Sequence, residues 1–263
     1  MELGLRGKVA LVAAASRGLG RAVAEELGAE GASLVLCARG AESLAEACSH
    51  IERMTGASVL GVTGDVSSAE DVTRIVGAAL ERFGRVDILV TNAGGPPAGS
   101  FDSLSAQDWE AATRLTLTSV LELTRAVLPG MRQRRWGRIL NITSIAAKQP
   151  VNDLMLSNSL RAAVTGFART LANEVAPFGI TVNNVMPGYT RTQRVEELAE
   201  RNAALRGTTA DTERAAWEGQ IPMSRLGDPR EFGAMVAFLA SDRASYTTGA
   251  SIPVDGGWIR SLL

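Results

Sequence analysis

The stretch Val9-Ala10-Leu11-Val12-Ala13-Ala14-Ala15-Ser16-Arg17-Gly18-Leu19-Gly20 decides the fold. Its first five residues are continuously apolar, which reads as a strand buried on both faces. A short turn follows, and then Leu19, Val23 and Leu27 share one face at helical spacing. Glycines at a strand-to-helix turn let the backbone approach a pyrophosphate. The helix N-terminus offers free amides and the positive end of its dipole to the same phosphates. Ala14, Ser16, Arg17, Gly18, Leu19 and Gly20 are therefore the candidate phosphate-binding turn of a dinucleotide site.

The rhythm continues outward from there. Further apolar runs occur at Leu34 to Ala38, Val59 to Val62, Ile88 to Thr91, Ile139 to Ile142 and Ile180 to Val185. Helical patterns lie between them, with Val72, Ile75, Val76 and Leu80 on one face. Strands alternating with helices imply right-handed crossovers and a parallel sheet covered on both sides: an α/β, doubly wound, Rossmann-type architecture. No linker or repeat interrupts residues 1–263, so the chain reads as one domain. Residues 190–225 break the rhythm. They are polar, rich in Glu, Arg and Ala, and carry one aromatic, Trp217. They read as a small helical lid over the substrate, with a solvated helical hairpin as the alternative.

The second strand ends at Cys37-Ala38-Arg39. A carboxylate there would take the adenosine ribose 2′-hydroxyl, whereas an arginine fork suits a 2′-phosphate. With Arg17 on the same side, Arg39 favours NADP over NAD.

Composition narrows the field. Among 263 residues, 46% are hydrophobic and 21% charged, as in a soluble globular protein. With 27 basic and 28 acidic residues the formal net charge is -1, which argues against nucleic-acid or polybasic membrane binding. No apolar run reaches the ~20 residues of a membrane span. Met1 to Arg6 shows no basic start with an apolar core, so no secretory leader is expected and a cytoplasmic location is. Cys37 and Cys48 read as reduced thiols, and one histidine, His50, makes a metal site an unsuitable reading. Lys8 and Lys148 are the only lysines, which limits the cations available for proton relay.

In these motifs the chain resembles the short-chain dehydrogenase/reductase family over nearly its whole length. The family's turn T-G-x-x-x-G-x-G is here A-A-A-S-R-G-L-G. Asp65-Val66 matches its adenine-contacting pair and Asn92-Ala93-Gly94 its N-A-G turn. Pro187-Gly188-Tyr189-Thr190-Arg191-Thr192 matches the P-G-x-x-x-T segment at the nicotinamide, and Gly249 through Val254-Asp255-Gly256-Gly257 the C-terminal signature. Ile221 to Gly227 and Phe238 to Asp242 are worded like the β-ketoacyl-carrier-protein-reductase-like branch. The resemblance implies a three-layer doubly wound fold, cofactor contacts from Asp65, Val66, Asn92, Ala93, Gly94, Pro187, Gly188, Thr190 and Thr192, and a homotetramer. In such tetramers helices near residues 105–134 and 154–177 pack between subunits.

Family members work a carbonyl/alcohol pair with Asn, Ser, Tyr and Lys. The match places Ser144 at the serine, Thr116 at the asparagine, Ser157 at the tyrosine and Arg161 at the lysine. Ala14 also replaces a glycine of the nucleotide turn. The chain thus looks like a divergent subgroup with a substituted catalytic set. A serine hydroxyl is a far weaker acid than a phenol, whose pKa starts near ~10. Arginine holds charge without relaying protons. Loss of a positioned acid costs ~10²–10⁴-fold in rate. What remains, Ser144 with Ser157 and Arg161 four residues apart on one helix face, forms a polar cationic pocket suited to an oxyanion. Lys148, Asn152, Asp153 and Asn158 read first as loop or cap residues, Tyr189 as packing against the cofactor, and Tyr246 lies near the C-terminal signature.

Related reductases grip an acidic carrier protein with basic residues. Arg132, Arg134, Arg135 and Arg138 cluster suitably, and Arg135 falls at one docking position, but Phe178 falls at the second. No acyl-carrier substrate is assigned on that basis. The leading expectation is an NADP-dependent oxidoreductase on a small carbonyl or alcohol, 3-oxoacyl-reductase-like, with an altered proton-transfer site. The alternatives are an NADP-binding scaffold or sensor without turnover, and dehydration or isomerisation chemistry.

Overall fold

The computed structural model describes residues 2–262; Met1 and Leu263, the ends of the 1–263 reading, lie outside the described residues. Seven parallel strands form one sheet: β1 (Val9–Ala13), β2 (Ser33–Ala38), β3 (Val59–Thr63), β4 (Ile88–Thr91), β5 (Gly137–Ile142), β6 (Ile180–Pro187) and β7 (Ser251–Val254). Their spatial order is β3-β2-β1-β4-β5-β6-β7. The order reverses between β1 and β4, which opens a crevice at the carboxyl ends of the strands where such sheets bind ligands.

Helices cover both faces. One core joins β1, β2 and β5 residues such as Val12, Leu36 and Leu140 to Val23, Leu27, Phe232 and Val236. Those last four belong to α1 (Gly18–Ala29) and α9 (Pro229–Ala240). The same face also carries α2 (Ala41–Thr55), which buries Leu44 and Ile51. The opposite core joins Leu11, Leu89 and Ile139 to Ile75, Leu123, Leu171 and their neighbours. These come from α3 (Ala69–Phe83), α5 (Ser119–Arg134) and α6 (Met155–Val175). Strands apolar on both sides fit burial in both cores.

The strand ends are held level by a buried polar ladder. Thr91 Oγ1 donates to Asn141 Oδ1 at 2.8 Å, Asn141 Nδ2 to Asn184 Oδ1 at 3.1 Å, and Asn184 Nδ2 to Ser251 Oγ at 3.1 Å. These four residues are direct cross-strand partners on β4 to β7. A satisfied network of this kind fixes register, because a slip would orphan buried amides.

β7 was not among the expected strands. Its Pro253 weakens the strand signal but is tolerated here, because β7 is the edge of the sheet. Residues 190–225 fold largely into α7 (Gln193–Arg206) and α8 (Ala210–Glu218). Trp217 is buried with Ala199, Ile145, Ile221, Leu226 and Trp258 in a small core of its own. The hairpin is therefore docked on the body and not solvated all round.

Candidate active site

The nucleotide turn is built around a close approach. Ala14 sits at φ 50°, in the left-handed region, and Gly18 at φ 58°. A Cβ on Gly20 would run into the Ala14 carbonyl oxygen, so only glycine fits there. Asn92 Nδ2 reaches the same oxygen at 3.5 Å and ties the turn after β4 to the turn after β1. The first turn of α1 carries no acidic residue, and Arg17 at its N-cap supplies no side-chain cap. The leading amides of α1 are thus left for an anionic ligand. Arg17 and Arg39 are exposed at the ends of β1 and β2. This cradle fits a dinucleotide with a phosphorylated adenosine ribose.

Asp65 accepts from the Ser67 amide (2.9 Å) and hydroxyl (2.8 Å) through one carboxylate oxygen. Val66 is buried in the core on that side. Gly188 donates to the Val254 carbonyl at 3.0 Å, and a Cβ there would meet Asp255 at 2.7 Å. Thr190 is buried and its hydroxyl turns back to Gly188 O at 3.3 Å. Thr192 caps α7 by accepting from Val195. Its methyl group lies 3.6 Å from where a Gly18 side chain would begin, so the nucleotide turn and the start of the hairpin touch. Arg17 donates to Gln193 at 2.6 Å across the same seam.

The four residues expected at the family's catalytic positions, Thr116, Ser144, Ser157 and Arg161, lie on elements that pack together. Thr116 sits in a π-turn, Arg114–Thr118, between α4 (Ala106–Thr113) and α5, a distortion that recurs at functional sites. Its side chain is 1% exposed and its hydroxyl has no partner. Ser144 caps the short turn Ile145–Ala147, its Oγ accepting from the Ala146 amide at 3.1 Å. With that lone pair engaged, the hydroxyl proton is free to donate outward. α6 packs against both this turn and the π-turn, and carries Ser157, half-buried, and Arg161, 7% exposed. Arg161 Nη1 donates to the Ile142 carbonyl at 2.7 Å, and its Nε has no partner. Burial alone pushes the guanidinium down to about 10, with no carboxylate offsetting it among the described residues. It stays a cation at neutral pH.

Neither tyrosine lies on α6. Tyr189 lies on Trp217, and burial pushes its phenol up, against a smaller pull from Arg206. Tyr246 is fully exposed. Asn158 is a staple, with its side chain accepting from and donating to the Val151 backbone at 3.2 and 2.9 Å. Asn152 and Asp153 are exposed loop residues, and Lys148 ends the 145–147 turn. The Cys37 thiol is pushed up to about 12 by burial and is no nucleophile.

The arginine cluster near residue 135 divides. Arg138 is buried and bonds the Ser241, Gly137 and Gly179 carbonyls. Arg134 serves Val86 O and Asp87. Arg132 and Arg135 lie over the Phe178 ring at 5.5 and 5.9 Å. Sequence reasoning missed the clamps on the hairpin: Arg194 to Pro96 O at 3.2 Å and Arg201 to Ala98 O at 2.9 Å. It also missed Trp258, which meets Tyr189 edge-on. Their spacing in sequence carries no signal.

Comparison with known proteins gives a consistent picture. A family profile described as Enoyl-(Acyl carrier protein) reductase matches residues 13–259. The chain is 38% identical over 255 residues to the 3-oxoacyl-[acyl-carrier-protein] reductase FabG of Vibrio cholerae, covering 97% of this chain and 98% of that protein. It is 38% identical over 262 residues to FabG of Pseudomonas aeruginosa, covering 98% and 100%. Among solved structures, L-sorbose reductase of Gluconobacter frateurii, complexed with NADPH and L-sorbose, superposes with a TM-score of 0.95 at 34% identity over 100% of both chains.

Proposed function

The chain belongs to the short-chain dehydrogenase/reductase family, and from that premise we propose that it is an NADP-dependent oxidoreductase of the ketoreductase type, acting on a small carbonyl or alcohol through a rebuilt proton-transfer site. The observation that carries this reading is the buried guanidinium of Arg161, which donates to the Ile142 carbonyl at the end of β5 and meets no carboxylate among the described residues. An unpaired buried cation is costly, and an oxyanion arriving next to it relieves that cost.

The Gly18–Gly20 turn and the α1 amides hold the pyrophosphate, and Arg17 and Arg39 take the 2′-phosphate. Asp65 and Val66 border the adenine, and Asn92, Gly94, Pro187, Gly188 and Thr192 shape the nicotinamide end. NADP supplies hydride chemistry at its nicotinamide ring. Ser144 donates its free proton to the substrate oxygen, Ser157 adds a second hydroxyl, and Arg161 stabilises the charge that grows there. Thr116 replaces the asparagine in shaping the π-turn. Hairpin α7–α8 closes the crevice and excludes water as a lid.

The test is single-turnover oxidation of protein-bound NADPH against a broad carbonyl panel. The reading expects hydride transfer to at least one class. NADPH binding without transfer to any would instead identify a scaffold or sensor.

A further inference from the structure

We propose that Gln193, the first residue of α7, sets coenzyme selectivity: its side-chain oxygen holds the Arg17 guanidinium in place for the 2′-phosphate of NADP(H), and the phosphate so bound steadies the first turn of α7. The inference rests on the role proposed for Arg17 and adds a residue that positions it.

Arg17 is a cation in an unfavourable place. It stands at the N-cap of α1, where the helix dipole is positive and Ser, Thr, Asp or Asn is the usual choice, and it supplies no side-chain cap. A second helix N-terminus meets it there. Thr192, the N-cap of α7, has its methyl group 3.6 Å from where a Gly18 side chain would begin, and Arg17 Nη1 donates to Gln193 Oε1 at 2.6 Å. Glu196, the acid in the first turn of α7, is paired with Arg214. Among the described residues the Arg17 guanidinium has no partner besides Gln193. Two positive helix ends and an arginine without a carboxylate make a junction that an anion relieves.

The chemistry of the partner fits that role. A carboxylate at position 193 would neutralise Arg17 and compete with an incoming phosphate. An amide oxygen fixes the guanidinium plane and leaves its charge whole. One N–H of five is spent, so the rest of the fork stays open. An arginine already held loses less side-chain freedom when phosphate arrives. NAD(H), with a hydroxyl in place of that phosphate, gains little from the arrangement. Both residues are exposed, so the effect is that of one ordinary hydrogen bond, about threefold to tenfold in affinity.

Binding and amide exchange test this without turnover. Wild type, Gln193→Ala and Arg17→Ala are titrated with NADP⁺ and NAD⁺ by calorimetry. Exchange across the first turn of α7, where the Val195 and Glu196 amides bond to Thr192, is followed by mass spectrometry. NADP⁺ should bind Gln193→Ala about threefold to tenfold more weakly, while NAD⁺ binds wild type and variant alike. By linkage, NADP⁺ should slow exchange in that turn by a similar factor in wild type, and in neither variant. A general loosening of the hairpin would weaken both coenzymes equally, so selectivity separates positioning from structure. Unchanged NADP⁺ affinity in Gln193→Ala, an equal loss for both coenzymes, or exchange that NADP⁺ leaves alone or speeds overturns the proposal and leaves the NADP reading standing. NADP⁺ that binds wild type no better than NAD⁺ overturns both.

Discussion

The Tyr189 ring lies flat on Trp217, with centroids 4.8 Å apart and planes 11° from parallel, and Trp258 meets it edge-on at 6.2 Å. This stack fastens α8 to the segment that follows β6, which holds one end of the α7–α8 hairpin against the body.

Cutting the stack should loosen the lid and leave the nucleotide cradle intact. Trp217→Ala is expected to cost about 3–5 kcal/mol of local packing, as large aromatic truncations do. Amide exchange should rise across residues 193–218, and KM for the carbonyl substrate should increase severalfold with NADPH affinity unchanged. Hydrogen exchange and steady-state kinetics check it.

Ala14 holds a conformation that glycine adopts freely, at φ 50°. Left-handed backbone costs an alanine about 1–2 kcal/mol, partly offset by the extra unfolded-state entropy of glycine. Ala14→Gly should leave the protein equally stable or about 1 kcal/mol more stable, with NADPH binding retained. Gly20→Ala should abolish binding, because its methyl group collides with the Ala14 carbonyl. Thermal melts and fluorescence titration separate the two.

Arg39 stands exposed just beyond β2. A charge-assisted bond to phosphate is worth about 1.5–3 kcal/mol, roughly tenfold or more in affinity. Arg39→Ala should weaken NADPH by that factor and leave NADH nearly unchanged, as equilibrium titration will show.

Arg161 carries a stability signature with a definite sign. Burial pushes its guanidinium down from its ordinary value to about 10. The unfolded chain therefore holds that proton more tightly, so the charged group opposes folding below about pH 10, and the penalty fades as pH rises above that. At neutral pH Arg161→Met should melt at or above the wild-type temperature, the usual pattern when a residue is kept for function at the expense of stability. A clear fall in melting temperature would show a structural role instead.

β1 to β6 were legible because each carries a stretch rich in apolar and β-branched residues, while β2, β3, β5 and β6 run one or two residues beyond it, to Ser33, Thr63, Gly137 and Pro187. β7 was not, since Pro253 masks a strand that only the sheet edge allows. The phosphate cradle was legible from Gly18 and Gly20, because backbone clearance is written in the missing side chains. The candidate catalytic residues were legible only as a set of positions. The i, i+4 spacing places Arg161 with Ser157, but its burial depends on α6 docking under β5 so that Ile142 O receives the guanidinium. Asn158 spends its amide on Val151, in keeping with the loop role read for it from sequence, while no sequence pattern shows that the Thr190 hydroxyl turns to Gly188 O. Nor does any spacing rule connect Tyr189 to Trp217 across the hairpin.

The account turns on charge stabilisation by Arg161 in place of proton donation by a phenol. The most direct measurement is the single-turnover rate of NADPH oxidation by the preferred substrate in wild type and in Arg161→Met, each saturated with coenzyme. The account predicts a rate about 10²–10³-fold lower in the variant, with NADPH affinity unchanged, as when an oxyanion donor is removed. A variant that transfers hydride as fast as wild type would contradict it.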